Sequence, residues 1–162
     1  METLKGMLGM GSADAIRSYQ GGYFKILISP EQTSGNMALI DMTLPRGVEP
    51  PMHVHTREDE TFYILKGNMT FVIGETVTKG VVGDAVFAPR QVPHHFVIES
   101  ESARFLTLIT PGQFVEYFLE FSVPADDEVK LMPPQGPPPT EIIEYMISQL
   151  KEKYGVLNSD FH

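Results

Sequence analysis

Four of the five histidines in this 162-residue chain fall in two short stretches. His53 and His55 stand one residue apart, with Glu60 shortly after them, in GVEPPMHVHTREDETFYILKG (residues 47–67). His94 and His95 lie in GDAVFAPRQVPHHFVI (residues 83–98). Histidines placed one by one for packing do not cluster like this, so the pattern points to a metal site. On a β-strand, residues i and i+2 share a face about 7 Å apart, which sets His53 and His55 side by side. Glu60 has the wrong parity for an unbroken strand. The polar run Thr56, Arg57, Glu58, Asp59 therefore reads as a turn, and a return strand over Thr61 to Lys66 brings Glu60 back against the imidazoles. His94 closes the site from a strand distant in sequence.

Three neutral imidazoles and one carboxylate suit one divalent transition metal ion per chain better than calcium or magnesium. These ligands do not distinguish Fe, Mn, Ni, Co, Cu or Zn. In an octahedral site two positions stay open for a small molecule or O2. His95 has the parity opposite to His94 and is expected to point outward or to support the ligands from behind. Glu58 and Asp59 read as turn carboxylates, with Arg57 fixing the turn through a carboxylate pair. His162, at the chain end, reads as solvated.

The two stretches resemble a known family. Gly47, five residues, His53-Val54-His55, four residues, Glu60, six residues and Gly67 reproduce the first cupin motif without a gap. Gly83, five residues, Pro89, four residues and His94 resemble the second. Gln91 stands where the family usually has glycine, and Ile98 where it often has asparagine; neither is a metal ligand in the family, so these departures bear on turn shape. The pattern PPMHVHTREDETFYILKG followed by FAPRQVPHHF is similar to small single-domain cupins related to quercetin 2,3-dioxygenases, and the likeness runs from about Phe24 to Phe121. It implies an all-β cupin fold, a jelly-roll barrel or double-stranded β-helix, with His53, His55, Glu60 and His94 holding the metal. It also implies a metal-dependent dioxygenase acting on a flavonol or another enolic or aromatic small molecule, with Glu60 as both ligand and catalytic proton acceptor.

The rest of the chain agrees with one domain of this kind. Its length allows a sizeable core. A formal charge of −9 argues against nucleic acid, which needs a basic face, and gives no reason to expect an anionic membrane. There is no cysteine, hence neither disulfide nor thiolate chemistry. The first residues do not read as a signal peptide, and a cytoplasmic protein is expected. Short β-branched and aromatic runs between Gly, Pro and Asn corners predict strands over residues 23–28, 37–44, 61–66, 69–73, 76–79, 86–88, 92–98 and 103–110, with a hairpin at Gly67-Asn68. Residues 1–22 read as an N-terminal arm, 23–122 as the barrel with a short flanking helix, 123–139 as a Pro-rich connector, and 140–162 as a C-terminal helix and tail. Thr140 reads as the cap of that last helix, and Ile142, Ile143, Met146, Ile147 and Leu150 as one apolar face. The helix is expected to pack on the barrel or a neighbouring subunit, outside the active site.

Parity also outlines a pocket. If Glu60 and His94 point inward, so do Phe62, Ile64, Phe96 and Ile98, forming either an apolar bowl for substrate or ordinary barrel core. Phe114, Tyr117 and Phe118 have the spacing of a helix face, which either lids the barrel mouth or packs outside it. Tyr63 and Leu65, apolar on the opposite face, call for a cover: the N-terminal arm or a second subunit, the latter making a homodimer. Two other readings stay open at the same site. One is redox-neutral chemistry, an isomerase or decarboxylase, which calls for polar groups in the bowl; the other is non-catalytic binding of a small molecule.

Overall fold

Glycine, proline and asparagine corners break the chain into short strands that stack in two antiparallel sheets. The computed structural model describes residues 15–125, 128–134 and 136–158. Among these residues one sheet has seven strands in the order β11-β1-β2-β3-β10-β5-β8: Val123–Pro124, Arg17–Tyr19, Gly22–Ile28, Ala38–Pro45, Ser102–Thr110, Asp59–Lys66 and Ala85–Ala88. The other has five in the order β12-β4-β9-β6-β7: Val156–Asn158, His53–His55, His94–Ile98, Met69–Ile73 and Thr76–Gly80. Helix α1 (Val115–Glu120) follows the last long strand, and α2 (Thr140–Glu152) follows the Pro-rich segment. This is the all-β jelly roll expected. Among the described residues no helix is long and apolar enough to cross a membrane.

The alternation of each strand decides which side chains meet between the sheets. On β5, Glu60, Phe62 and Ile64 are buried while Thr61, Tyr63 and Leu65 are not. On β10, Ala103, Phe105, Thr107 and Ile109 point inward. Phe62 lies within 6.2 Å, ring centre to ring centre, of Phe71, Phe96 and Phe105. Each such ring removed from water stabilises the fold by about 1.5–3 kcal/mol, and edge-on contacts add about 0.5–1.5 kcal/mol per pair. The aromatic cluster therefore holds the two sheets together.

Several elements differ from the sequence reading. Gly67-Asn68 is not a hairpin: β5 and β6 lie in different sheets, and the corner carries the chain across. Gly67 (φ 88°) is required there, because a β-carbon would come within 2.5 Å of the Ser102 carbonyl oxygen. Residues 17–19, expected in the arm, form β1, which pairs with β2 and with β11; residues 1–14 lie outside the described residues, as does His162. Strand β5 begins at Asp59, two residues before the expected start. Pro139, not Thr140, occupies the cap position of α2, with no side-chain capping bond. Ile142 is exposed, off the face formed by Ile143, Met146, Ile147 and Leu150. The tail forms a strand, β12, paired with the strand that carries His53 and His55.

The outer face of the seven-stranded sheet has an apolar stripe. Leu39 pairs with Leu108, Leu108 with Thr61, and Thr61 with Phe87. Tyr63 is 41% and Phe87 56% exposed. The described residues do not cover them.

Candidate metal centre

Three strands bring four ligating groups to one point. His53 on β4 is the cross-strand partner of His94 on β9, with ring centres 4.5 Å apart. His55, two residues on, follows on the same side with its ring centre 5.0 Å from that of His53. Glu60 comes from the opposing sheet, at the start of β5. One ligand atom from each of His53, His55, Glu60 and His94 lies within 4.8 Å of all the others. The turn between β4 and β5 resets parity as the spacing requires, so the four expected ligands converge.

Each imidazole is oriented from behind. His53 Nδ1 lies 2.8 Å from the Pro51 carbonyl oxygen, and His94 Nδ1 lies 3.1 Å from that of Val92. His55 Nδ1 lies 3.2 Å from Glu58 Oε2. An acceptor behind every Nδ1 gives each ring a place for its proton there, which frees Nε2 for an ion when one is bound. Glu60 Oε2 sits 2.9 Å from His94 Nε2 and 3.3 Å from His55 Nε2. Burial would raise the Glu60 carboxyl, yet the adjacent His55, His94 and His53 imidazoles hold it down at about 2, so it is an anion. Burial, reinforced by repulsion from His55, lowers His53 to about 4 and keeps it neutral. Burial also lowers His55, but the Glu60 and Glu58 carboxylates outweigh it, and the net shift is upward. Three imidazoles oriented from behind and one anionic oxygen fit a divalent transition ion.

Glu58 is only 3% exposed. Expected as a turn carboxylate, it does lie in the turn, but it points into the protein and holds His55. Nothing in its spacing announced this, because turn residues have no fixed parity. Asp59 pairs with Arg90 at 3.1 Å. Among the described residues Arg57 pairs with no carboxylate; its Nη1 donates to the Lys153 carbonyl at 2.9 Å. The Thr56 N–H donates to the Gly155 carbonyl at 3.1 Å. The C-terminal tail thus clasps the metal-site turn on one side. Gln91 clasps it on another: its N–H donates to the His55 carbonyl at 2.8 Å, and its side chain donates to that of Thr56 at 3.0 Å. Gln91 has φ 67°, so the turn keeps the left-handed backbone that glycine would adopt freely. His95 faces away from the cluster on β9 opposite Val72, and its Nδ1 is buried without a partner among the described residues.

The cluster opens into a cavity of about 630 Å³, within the range that holds a drug-sized organic molecule. Phe62 and Phe96 line it, together with Phe105. Ile64 and Ile98 are fully buried in the core and are not among its lining residues. A second wall runs outward from the site along α1: Phe114 packs edge-on against His55 at 4.6 Å, Phe118 against Phe114 at 5.4 Å, and Tyr19 against Phe118 at 5.5 Å. The helix face 114–118 therefore lines the mouth rather than the outside. The third wall corrects the expectation for α2, which lies over the site: Ile143, Met146, Ile147 and Leu150 line the same cavity. Its amphipathic pattern was legible; what its apolar face covers was not.

Comparison with known proteins agrees with this geometry. The family described as Cupin domain matches residues 40–109. Over 112 residues the chain is 24% identical to quercetin 2,3-dioxygenase of Bacillus subtilis (strain 168), covering 69% of this chain and 33% of that protein. It thus spans about one third of that relative's length. Among solved structures it is similar to a predicted oxalate decarboxylase from Thermotoga maritima (TM-score 0.53, 25% identity, 62% of this chain and 95% of that one). It is also similar to an RmlC-like cupin from Shewanella frigidimarina NCIMB 400 (TM-score 0.53, 18% identity, 64% and 88%). With two antiparallel sheets, both motifs in place and their four ligating residues gathered at one point, residues 40–109 are a cupin domain.

Proposed function

We propose that this protein is a metal-dependent oxidoreductase, a dioxygenase acting on a flavonol or a similar enolic, aromatic molecule. The observation that carries the reading is the pairing of a three-histidine, one-glutamate cluster with a cavity walled by phenylalanine, proline and aliphatic side chains. A flat apolar body is desolvated favourably by such walls, while one oxygen-bearing end reaches the cluster. His53, His55, His94 and Glu60 would hold the ion. When bound, the ion supplies Lewis-acid and redox chemistry, lowering the pKa of an enolic hydroxyl. Glu60 contacts both His55 and His94 through Oε2, which leaves Oε1 as the oxygen that would accept that hydroxyl proton. The phenylalanine walls and α2 exclude water from the reacting end. Both atoms of O2 enter the organic product, so no external reductant is consumed. The likeness to a quercetin 2,3-dioxygenase supports this substrate class.

A second reading, redox-neutral decarboxylation of a small acid at the same cluster, is supported by the likeness to a predicted oxalate decarboxylase; the apolar walls favour it less. Oxygen uptake separates the two. The protein is loaded in turn with each divalent metal and offered flavonols and enolic acids, with His94→Ala in parallel. Uptake that requires both substrate and His94 is expected. CO2 release without oxygen consumption would favour the decarboxylase, and neither, with metal confirmed, would leave an isomerase or a binding protein. The stripe through Leu39, Leu108, Tyr63 and Phe87 supports a homodimer joined across this sheet, which sedimentation of wild type against Tyr63→Glu tests.

A further inference from the structure

Thr107 is one of several polar side chains that line the cavity without a part in holding the ion. Thr107 lies at the middle of β10, 4% exposed, and its inward neighbours on that strand are Phe105 and Ile109. It pairs with Ile40 on one side and Phe62 on the other, so its strand neighbours are apolar. It lines the main cavity, and its hydroxyl makes no hydrogen bond to any other described residue. The hydroxyl is not among the buried polar atoms left without a partner, so it is open to the cavity, where an oxygen of a ligand can reach it. The register places Thr107 close to the centre: Ile109 pairs with Glu60 and Thr107 with Phe62, which makes Thr107 and Glu60 diagonal neighbours about 7–8 Å apart on one face.

We propose that the Thr107 hydroxyl is a specificity-determining contact that hydrogen-bonds a second oxygen of the ligand whose first oxygen is held at the Glu60 end. The inference rests on the substrate class proposed above and narrows it. The ligand carries two oxygens on one head group, a few bonds apart, as an enol or flavonol hydroxyl does with its neighbouring carbonyl. The carbonyl accepts the Thr107 proton, and the aromatic body extends toward α2.

The test is binding of quercetin to the metal-loaded protein, read by its absorbance shift, in wild type, Thr107→Val and Thr107→Ser. Valine should weaken binding about fivefold to tenfold, the loss of one neutral hydrogen bond, while serine stays within about threefold. Metal affinity and melting temperature of Thr107→Val should match or exceed wild type. Valine binding as tightly as wild type would overturn the role of Thr107 while leaving the substrate class intact. Valine and serine weakening equally would overturn it too, by showing that packing is what matters. If wild type, with metal occupancy confirmed, binds neither quercetin nor other flavonols, the substrate class itself fails and the inference falls with it.

Discussion

Replacing Glu58 should weaken metal binding although it is not a ligand. Its carboxylate is buried in the β4–β5 turn and accepts from His55 Nδ1 at 3.2 Å. Glutamine keeps a carbonyl acceptor of nearly the same size but loses the charge. A hydrogen bond to a charged group is worth about 1.5–3 kcal/mol and a neutral one about 0.5–1.5 kcal/mol. The difference, about 1–1.5 kcal/mol, corresponds to roughly a tenfold loss of affinity. Leucine removes the acceptor altogether, freeing the ring to turn and its proton to move to Nε2, where it would block coordination. That loss should approach the hundredfold end of the range seen when a group behind a metal ligand is removed. The assay is competition with a chromophoric chelator at pH 7.5, with zinc and manganese as probes. Asp59→Asn serves as the control, since Asp59 pairs with Arg90 at the surface and should stay within about twofold. If Glu58→Gln and Glu58→Leu both stay within twofold of wild type, the orientation of His55 does not depend on Glu58 and the reasoning is wrong.

Three further outcomes follow from the same geometry. His94→Ala or Glu60→Gln should abolish tight metal binding, whereas His95→Ala, on the opposite face of β9, should change it only a few-fold; full occupancy in His94→Ala would refute the ligand set. Gly155→Ala should lower the melting temperature and the affinity for apolar ligands, because residue 155 has φ 67° and a β-carbon there would come within 2.6 Å of Thr56 Oγ1. Left-handed backbone alone costs an alanine about 1–2 kcal/mol, and an unchanged melting curve would show that the tail is not clasped to the turn. Metal-free protein should lose stability as pH falls from about 6.5 to 4, since folded His53 is held near 4 by burial while the unfolded chain takes its proton near 6.5. His55, shifted upward, has the opposite sign: its contribution is complete below about pH 6.5 and fades as pH rises through its folded value. Urea midpoints at pH 7, 5.5 and 4.5 should therefore fall less steeply in His53→Gln, and parallel slopes would exclude His53 as the cause.

The residues that converge on the centre were readable because each is set by short-range geometry. His53 and His55 share a face through the period of a strand, and Glu60 needs only one turn to return. His94 required a second strand, but its motif spacing announced it. The apolar alternation of β5, β9 and β10 likewise told which side chains point inward, though not how deep the cavity reaches. Phe62 and Ile64 have the same parity, yet one lines the cavity and the other lies in solid core, since depth depends on what the facing sheet supplies.

The rest was decided by contacts between segments far apart in the chain. Glu58 was one polar turn residue among four until the packed barrel closed around it and aimed it at His55. Strand β12 has only three residues and no pattern of its own; it is a strand because β4 offers it an open edge. Thr56 and Gly155, 99 positions apart, join the metal-site turn to the tail and so set α2 over the cavity. An amphipathic helix states in its sequence that one face must be covered. Which surface covers it is settled only when the whole chain has folded, and here that choice makes the C-terminal helix a wall of the site.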